Sequence, residues 1–204
     1  LGLKIESTIY TKYLIINILC MTLEERVLRL EDIEAIRYLQ AKYQRCLDTR
    51  DFDGVAECFA EDAESSYGDG KMAYHGKEEI IKFLCKVMSL NMPSTHLIHG
   101  GEIDILDSSN AKAQWYLEDF LQHKIFFVKL HGAAIYNVVY TKIDGVWKIK
   151  SIGYKRCYEY FELRGLLNLF SLRKTNFLKE ARRKNPESLG KYGKYFLSKI
   201  WRNK

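Results

Sequence analysis

The hydrophobic pattern of the chain changes its period near residue 95, and this change limits the folds that the chain can adopt. Before that point apolar residues recur every three or four positions, as on one face of a helix, and after it they alternate, as in half-buried strands. Helices that come first and strands that come second predict an α+β fold, with helices packed on one face of a curved antiparallel sheet. A curved sheet closed by a long helix leaves a pocket between the two.

The first helix is the longest predicted element. Thr22 and Glu25 form a capping-box pattern that opens it, and its pattern ends near Asp48. The residues predicted to face the sheet are Leu23, Val27, Leu30, Ile33, Ile36, Gln40, Tyr43 and Leu47. A short second helix, a hairpin around a Gly-Asp-Gly sequence and a third helix are predicted at residues 51–60, 64–74 and 76–88.

Five strands are predicted in the second part of the chain, at residues 95–99, 102–106, 111–122, 132–143 and 146–158. Tight turns separate several of them. The sequence Asp-Ser-Ser-Asn at residues 107–110 is typical of a turn, and Asp144-Gly145 is a strong signal for a two-residue hairpin loop. These turns join neighbouring strands in antiparallel order.

Positive charge is concentrated at the end of the chain. The formal net charge is +6, but the last 39 residues alone carry eleven Lys and Arg against two Glu, which leaves −3 for residues 1–165. We therefore predict a basic helical tail at residues 165–204. Met21 and the capping box after it indicate that the main domain covers residues 21–164 and that residues 1–20 are an N-terminal extension. The tail could contact nucleic acid or an anionic membrane, or could pack on the body or on a second subunit.

The cysteines favour a cytoplasmic protein. Their number is odd and no Cys-x-x-Cys spacing occurs, which is typical of reduced and mostly buried thiols; they are Cys20, Cys46, Cys58, Cys85 and Cys157. The apolar stretch at residues 9–20 is about a dozen residues long and contains Lys12, so it is too short to span a bilayer.

A carboxylate interrupts the apolar face of the strand at residues 111–122. Alternation places these residues on one face: Ala111, Ala113, Trp115, Leu117, Asp119 and Leu121. A charged Asp119 in such a row needs a partner, because burial of an unpaired charge is costly, or else it lies solvated at the mouth of the sheet. Both alternatives fit the alternation.

His96 is the best partner that the sequence offers for Asp119, since a carboxylate that binds an imidazole fixes its tautomer and raises its basicity. His99 lies on the opposite face by strand parity. The spacing His96-x-x-His99 also fits two metal ligands, but no third and fourth ligand occur at the spacing of a zinc site. The sequence therefore favours an acid–base pair over a metal centre.

Three further side chains could reach the pocket. Tyr43 lies on the apolar stripe of the first helix, where its hydroxyl needs a hydrogen-bond partner, and Asp48 ends the same helix. Each could equally be an ordinary core aromatic or helix-end residue. Arg156 lies opposite Trp147 and Ile149 by parity, so it faces the pocket only if that face lines it or if a bulge intervenes.

Three segments resemble a known family. They are residues 21–48 (MTLEERVLRLEDIEAIRYLQAKYQRCLD), 115–119 (WYLED) and 140–158 (YTKIDGVWKIKSIGYKRCY). Together they resemble the SnoaL-like branch of the nuclear transport factor 2-like superfamily over roughly residues 21–162. The tail beyond Arg164 has no counterpart in this resemblance.

The resemblance implies a cone-shaped α+β barrel, a homodimer or homotrimer, and no metal or organic cofactor. It implies cofactor-independent dehydration of a small apolar, steroid-like or cyclic keto substrate; the alternatives are an isomerase, a polyketide cyclase or a non-enzymatic binding or assembly domain. The matching catalytic positions are Tyr43 for the substrate oxo group, His96 as general base, Asp119 as its carboxylate partner and Asp48 as a further acid. The predicted substrate-binding residues are Tyr67, Tyr116 and Arg156.

Overall fold

Three helices and six strands make up the part of the protein that the computed structural model describes, residues 21–68, 70, 72–123 and 128–163. The helices are α1 (Leu23–Thr49), α2 (Phe52–Cys58) and α3 (Lys77–Val87). The strands are β1 (Phe59–Tyr67), β2 (Met72–His75), β3 (Ser94–Ile105), β4 (Asn110–His123), β5 (Val128–Ile143) and β6 (Val146–Leu163). The predicted N-terminal extension and basic tail lie outside the described residues.

The six strands form one sheet in the order β2-β1-β6-β5-β4-β3. This confirms the predicted α+β architecture of helices on a curved sheet. The predicted run of antiparallel strands is present from β3 to β6, whereas the sheet as a whole is mixed rather than antiparallel, because β1 pairs with β6 in parallel. The chain leaves the β1–β2 hairpin through α3, enters the sheet at the opposite edge with β3, and returns through β4 and β5 to β6 beside β1. The two edges, β2 and β3, are not neighbours, so the sheet is open rather than a closed barrel.

The beginning of α1 agrees with the sequence prediction, but its burial does not. Thr22 and Glu25 form the complete capping box. The predicted inward residues Leu23, Val27 and Leu30 are 75%, 45% and 65% exposed, and the buried side chains of α1 all lie between Ile36 and Leu47. In the first half of α1 the contacts with the sheet are polar: Arg29 donates to the backbone oxygen of Ile105, and Asp32 accepts from Lys142 and Trp147.

A chain of buried polar groups fastens the second half of α1 to the sheet. The indole of Trp115 donates to the Tyr140 hydroxyl at 3.0 Å, and that hydroxyl donates to Gln40 at 2.6 Å. Gln40 in turn donates to Gln44 at 3.3 Å. Since buried polar groups are costly when unpaired, these contacts fix how α1 lies across β4 and β5.

A β-bulge in β6 decides which side chains of that strand face inward. The pairing with β5 passes from Ile149 to Ser151, so Lys150 has no partner residue on β5. One extra residue reverses the parity of the later part of the strand, and Arg156 therefore lies on the same face as Ile149. Simple alternation would place Arg156 on the other face unless a bulge intervened, and the bulge is present.

Most of the described cysteines are buried, as predicted. Cys46, Cys58 and Cys85 are buried and free, and Cys157 is exposed and free. Burial raises the pKa of the Cys58 and Cys85 thiols to about 12, so both stay protonated at neutral pH. None of the three described helices is both long enough and apolar enough to cross a lipid bilayer.

Candidate functional site

A row of polar positions crosses the inner face of the sheet. His96 of β3 lies directly opposite Asp119 of β4, Asp119 lies opposite Gly132 of β5, and Gly132 lies opposite Glu159 of β6. Residues that face one another across neighbouring strands share one face of a sheet. Four strands therefore bring these positions to one level on the side that α1 covers.

Asp119 is paired with Arg156. The carboxylate is buried, with 3% of the residue exposed, and accepts two hydrogen bonds from the guanidinium, both at 2.7 Å. Glu159 lies 3.1 Å from the Nε atom of Arg156, on the other side of the guanidinium. Although burial lowers the pKa of Arg156, the hydrogen bonds and charge of Asp119 outweigh it and raise this pKa, so the arginine stays charged.

The prediction that Asp119 is the carboxylate partner of His96 was therefore wrong, because Asp119 pairs with Arg156. Arg156 was a weak candidate from the sequence because simple parity put it outside, and the bulge at Lys150 reverses that placement. A planar guanidinium meets both oxygens of a carboxylate at once, which an imidazole cannot do. Asp119 remains beside His96, as its direct cross-strand neighbour.

Asp48 is the carboxylate that binds His96. Its Oδ1 atom lies 2.6 Å from Nδ1 of the imidazole, and its Oδ2 atom accepts the backbone N–H of His96 at 2.8 Å. The Ser94 hydroxyl donates a further hydrogen bond to Oδ1 at 2.7 Å. The contact joins the end of α1 to the start of β3, and the histidine side chain is only 8% exposed.

The charge of Asp48 fixes the tautomer of His96. Burial raises the pKa of Asp48, but the hydrogen bonds that it accepts from His96 and Ser94 lower it below its ordinary value. The carboxylate is thus ionised at neutral pH and can only accept, so Nδ1 carries the proton in this contact. Nε2 of a neutral imidazole then has the free lone pair that a general base needs.

Gly132 makes room for the Asp119–Arg156 pair. A Cβ atom at this position would lie 2.7 Å from Nη1 of Arg156 and 3.1 Å from Oδ1 of Asp119. The first distance is shorter than side chains tolerate, so any larger residue would displace the guanidinium. Glycine here has a steric reason rather than a conformational one, and no local sequence pattern predicts it.

Tyrosines form the inner wall beside this row. Tyr43 and Tyr67 are buried with their hydroxyl oxygens 3.4 Å apart, and the ring of Tyr67 lies against Tyr154. Tyr136 packs edge-on against Tyr154 at 5.8 Å between ring centroids. Burial raises the pKa of Tyr67 to about 12 and that of Tyr43 and Tyr136 well above the ordinary value, so these phenols keep their protons and can donate.

Two predicted contributors lie elsewhere. Tyr116 was predicted to bind substrate, but it is on the outer face of the sheet and 57% exposed, so it is not part of the inner row. His99 also faces outward, near Glu118, as strand parity predicted. His96 and His99 therefore cannot bind one metal ion, and the described residues contain no group of three His, Cys, Asp or Glu side chains that could hold one.

Several members of this site were not predicted from the sequence. Tyr136 could have been found, because it alternates with the inward residues of β5 on either side of it. Glu159 and Ser94 lie in stretches that give no such signal. Only their tertiary contacts, with Arg156 and Asp48 respectively, single them out.

Solved structures share this fold. A proposed scytalone dehydratase from Novosphingobium aromaticivorans superposes with a TM-score of 0.62 at 20% identity, over 66% of this chain and 90% of that one. A LinA-type3 hexachlorocyclohexane dehydrochlorinase from Novosphingobium barchaimii gives a TM-score of 0.62 at 20% identity, over 67% and 94% of the two chains. ActVI-ORFA from Streptomyces coelicolor gives 0.53 at 18% identity, over 61% and 96%. At these identities the likeness establishes the fold.

The family is established by sequence. The profile of the SnoaL-like domain matches residues 28–152, which is more than half of the chain. The match runs from the first half of α1 into β6 and includes Tyr43, Asp48, His96 and Asp119. On this match, and with a sheet and helices arranged as in these solved structures, the chain belongs to the SnoaL-like domain family.

Proposed function

We propose that the protein is a cofactor-independent lyase that eliminates water from a cyclic keto substrate, with His96 as the base. The observation that carries this proposal is the contact of Asp48 with Nδ1 of His96, which leaves Nε2 free on the inner face of the sheet. Within the proposal, a steroid-like substrate such as that of bile acid 7-alpha-dehydratase is the specific case to test first.

The elimination needs one proton transfer in each direction. Nε2 of His96 takes a proton from the carbon next to the carbonyl group, or from its conjugated equivalent, and the electron pair of that C–H bond forms the new double bond. The bond from the neighbouring carbon to the hydroxyl oxygen breaks, and the leaving oxygen takes the proton back from the imidazolium as water. Asp48 stabilises the imidazolium between the two transfers.

Tyr43 has the role of stabilising charge on the substrate oxygen. Its hydroxyl is buried beside that of Tyr67, and burial raises the pKa of Tyr43 well above its ordinary value, so it stays a donor at neutral pH. A neutral donor that is already in place lowers the energy of a developing oxyanion without needing to reorganise. The 3.4 Å between the two hydroxyl oxygens is long for a hydrogen bond, so a substrate oxygen can compete for the Tyr43 donor.

The comparisons support elimination as the reaction class. Two of the structural neighbours are named for eliminations, one as a proposed dehydratase and one as a dehydrochlorinase. Both reactions remove a proton and a leaving group from neighbouring carbons. Because both reactions need a base, the shared fold supports a base on the inner face of this sheet. That the leaving group is a hydroxyl, lost as water, is part of the proposal.

An isomerase is the second candidate, because it would use the same first step. Removal of a proton beside a carbonyl and its return to another carbon need a base and an oxyanion donor but no leaving group. His96 and Tyr43 fit both reactions. The two candidate activities can be distinguished by their products, since only the lyase gives a product that is lighter than the substrate by one water molecule.

The test is turnover by the wild type and by two matched histidine variants. The substrates are a 3-oxo-4-ene 7-hydroxy bile acid derivative and a monocyclic β-hydroxy ketone, with the product identified by mass spectrometry. We expect loss of at least about a hundredfold in rate for His96→Ala, the range assigned to one acid–base group. His99→Ala is the control, because it removes the same residue type from the opposite face of the same strand. Elimination by His96→Ala at the wild-type rate would overturn the assignment of the base.

A further inference from the structure

Arg50 stands where a glycine would be easier to accommodate. It comes directly after α1 and closes the helix with φ 63° and ψ 27°, in the left-handed region. Residues with a Cβ atom adopt this conformation reluctantly, and glycine is the usual choice at this place in a helix. Because the backbone conformation at this position favours glycine, the presence of arginine is best explained by the contacts of its side chain.

The guanidinium of Arg50 ties the end of α1 to the start of β3. Its Nη1 atom has two N–H groups, which three oxygens share: the backbone oxygens of Leu47 at 2.9 Å and Asp48 at 2.8 Å, and the Ser94 hydroxyl at 3.0 Å. Its Nη2 atom donates to the backbone oxygen of Met92, in the loop before β3. The residue is buried, with 6% exposed. One side chain thus holds both segments that supply the Asp48–His96 pair.

Ser94 carries the effect of Arg50 to the carboxylate. Its oxygen accepts from the guanidinium, so its own proton is directed to Oδ1 of Asp48 at 2.7 Å. The same Oδ1 atom faces Nδ1 of His96. The order of contacts is therefore guanidinium, hydroxyl, carboxylate and imidazole, and Arg50 reaches the imidazole through the two groups between them.

We propose that Arg50 is a positioning residue that sets the Asp48–His96 pair by holding the Asp48 backbone and by orienting the Ser94 hydroxyl. Arg50 acts only through other residues and has no direct part in proton transfer. The inference rests on the proposed function for its catalytic meaning, because there His96 is the base. The predicted effect on the tautomer and Nδ1 proton of His96 can be measured without a substrate.

The charge of Arg50 is kept at neutral pH. Burial lowers its pKa to about 10, and the neighbouring charge of Asp48 opposes this fall. A charged donor makes stronger hydrogen bonds than a neutral one, and five N–H groups in one plane can serve several acceptors at once. The four acceptors around Arg50 are reached from two separate nitrogens, whereas lysine has only one.

The test compares two glycine substitutions at left-handed positions. Arg50→Gly removes the guanidinium and suits the backbone. Asp144→Gly makes the same type of change at φ 50° in the turn between β5 and β6, away from the pair, and serves as the matched control. In protein labelled with ¹⁵N-histidine, NMR reports which ring nitrogen of His96 carries the proton and how fast the Nδ1 proton exchanges with solvent.

We expect the Nδ1 proton of His96 to exchange about tenfold faster or more in Arg50→Gly, which is the order of effect of losing a hydrogen bond in a charged network. Asp144→Gly should match the wild type. Ser94→Ala provides a second measurement, since it removes only the relaying hydroxyl; it should also speed this exchange, and it decides the matter if Arg50→Gly does not fold. The proposal would be overturned if the folded Arg50→Gly protein showed the wild-type exchange rate and tautomer of His96. If Arg50→Gly does not fold, the same result in Ser94→Ala would overturn it. A wild type with the expected His96 signals but no turnover would instead contradict the proposed function alone.

Discussion

Replacing Arg156 by methionine tests how Asp119 is held inside the sheet. Methionine retains much of the volume of the arginine stem and removes the guanidinium, so Asp119 loses both of its 2.7 Å hydrogen bonds. The side chain of Asp119 is 5% exposed and that of Arg156 is 15% exposed, so water does not readily replace the lost partner. The variant leaves a buried carboxylate without its cation.

The expected loss is large because the charge is orphaned rather than removed. Breaking one side of a buried ion pair costs about 3–5 kcal/mol in the free energy of unfolding. For a chain of this size, each kcal/mol lowers the melting temperature by about 2–4 °C, so we expect a decrease of roughly 6–20 °C. Denaturant unfolding monitored by circular dichroism gives the free energy, and calorimetry gives the melting temperature.

The control is Arg37→Met on the surface of α1. Arg37 lies 3.4 Å from Glu34 in an ion pair whose side chains are 54% and 73% exposed, and such pairs contribute at most about 1 kcal/mol. The double variant Asp119→Leu with Arg156→Met should recover part of the loss, because no buried charge remains. If Arg156→Met cost no more than Arg37→Met, the reasoning about the buried pair would be refuted.

Three further changes have defined outcomes. Gly132→Ala should destabilise the protein by about 1–3 kcal/mol in denaturant unfolding, because its Cβ would meet the guanidinium of Arg156 at 2.7 Å; an unchanged midpoint would show that the pair has room to move. Tyr140→Phe should cost about 1–3 kcal/mol for each of the two buried groups that lose the hydroxyl, Trp115 and Gln40, and retention of wild-type stability would contradict their dependence on it. The pKa of Asp48 is lowered in the folded state, so on acidification the unfolded chain takes up a proton at this position before the folded protein does. The stabilisation by Asp48 is therefore complete above the ordinary carboxyl pKa of about 3.9 and is lost as the pH falls through the lowered value. Asp48→Asn should flatten this part of the curve of unfolding free energy against pH.

The elements of the fold could be predicted because local signals define them. The capping box at Thr22, the change of period near residue 95 and the Asp144-Gly145 turn are all local, and each appears where it was predicted. The parallel pairing of β1 with β6 could not be predicted in this way, since it joins segments about 90 residues apart. The exposed first half of α1 could not be predicted either, because amphipathic spacing marks one face of a helix but not how much of its length is buried.

The candidate site could be predicted only in part: His96, Asp119, Tyr43 and Asp48 do lie in it, but Tyr116 lies outside it and the pairings differ from those predicted. The alternation left Asp119 either buried with a partner or solvated at the mouth of the sheet, and the structure has the first; His96 lies on the same face, as its cross-strand neighbour. The partner of each depends on three-dimensional contacts: the bulge at Lys150 turns Arg156 toward Asp119, and the end of α1 brings Asp48 to His96. The assigned catalytic roles, the oligomer and the basic tail stay predictions.

Deuterium incorporation tests most directly the central claim that His96 removes a proton from carbon beside a carbonyl. A cyclic ketone that lacks the leaving group, incubated with the protein in heavy water, can exchange this proton but cannot eliminate, and mass spectrometry measures the exchange. We predict catalysed incorporation by the wild type and by His99→Ala, and background incorporation by His96→Ala. Incorporation by His96→Ala at the wild-type rate, or none above background by the wild type with any ketone that it binds, would contradict the claim.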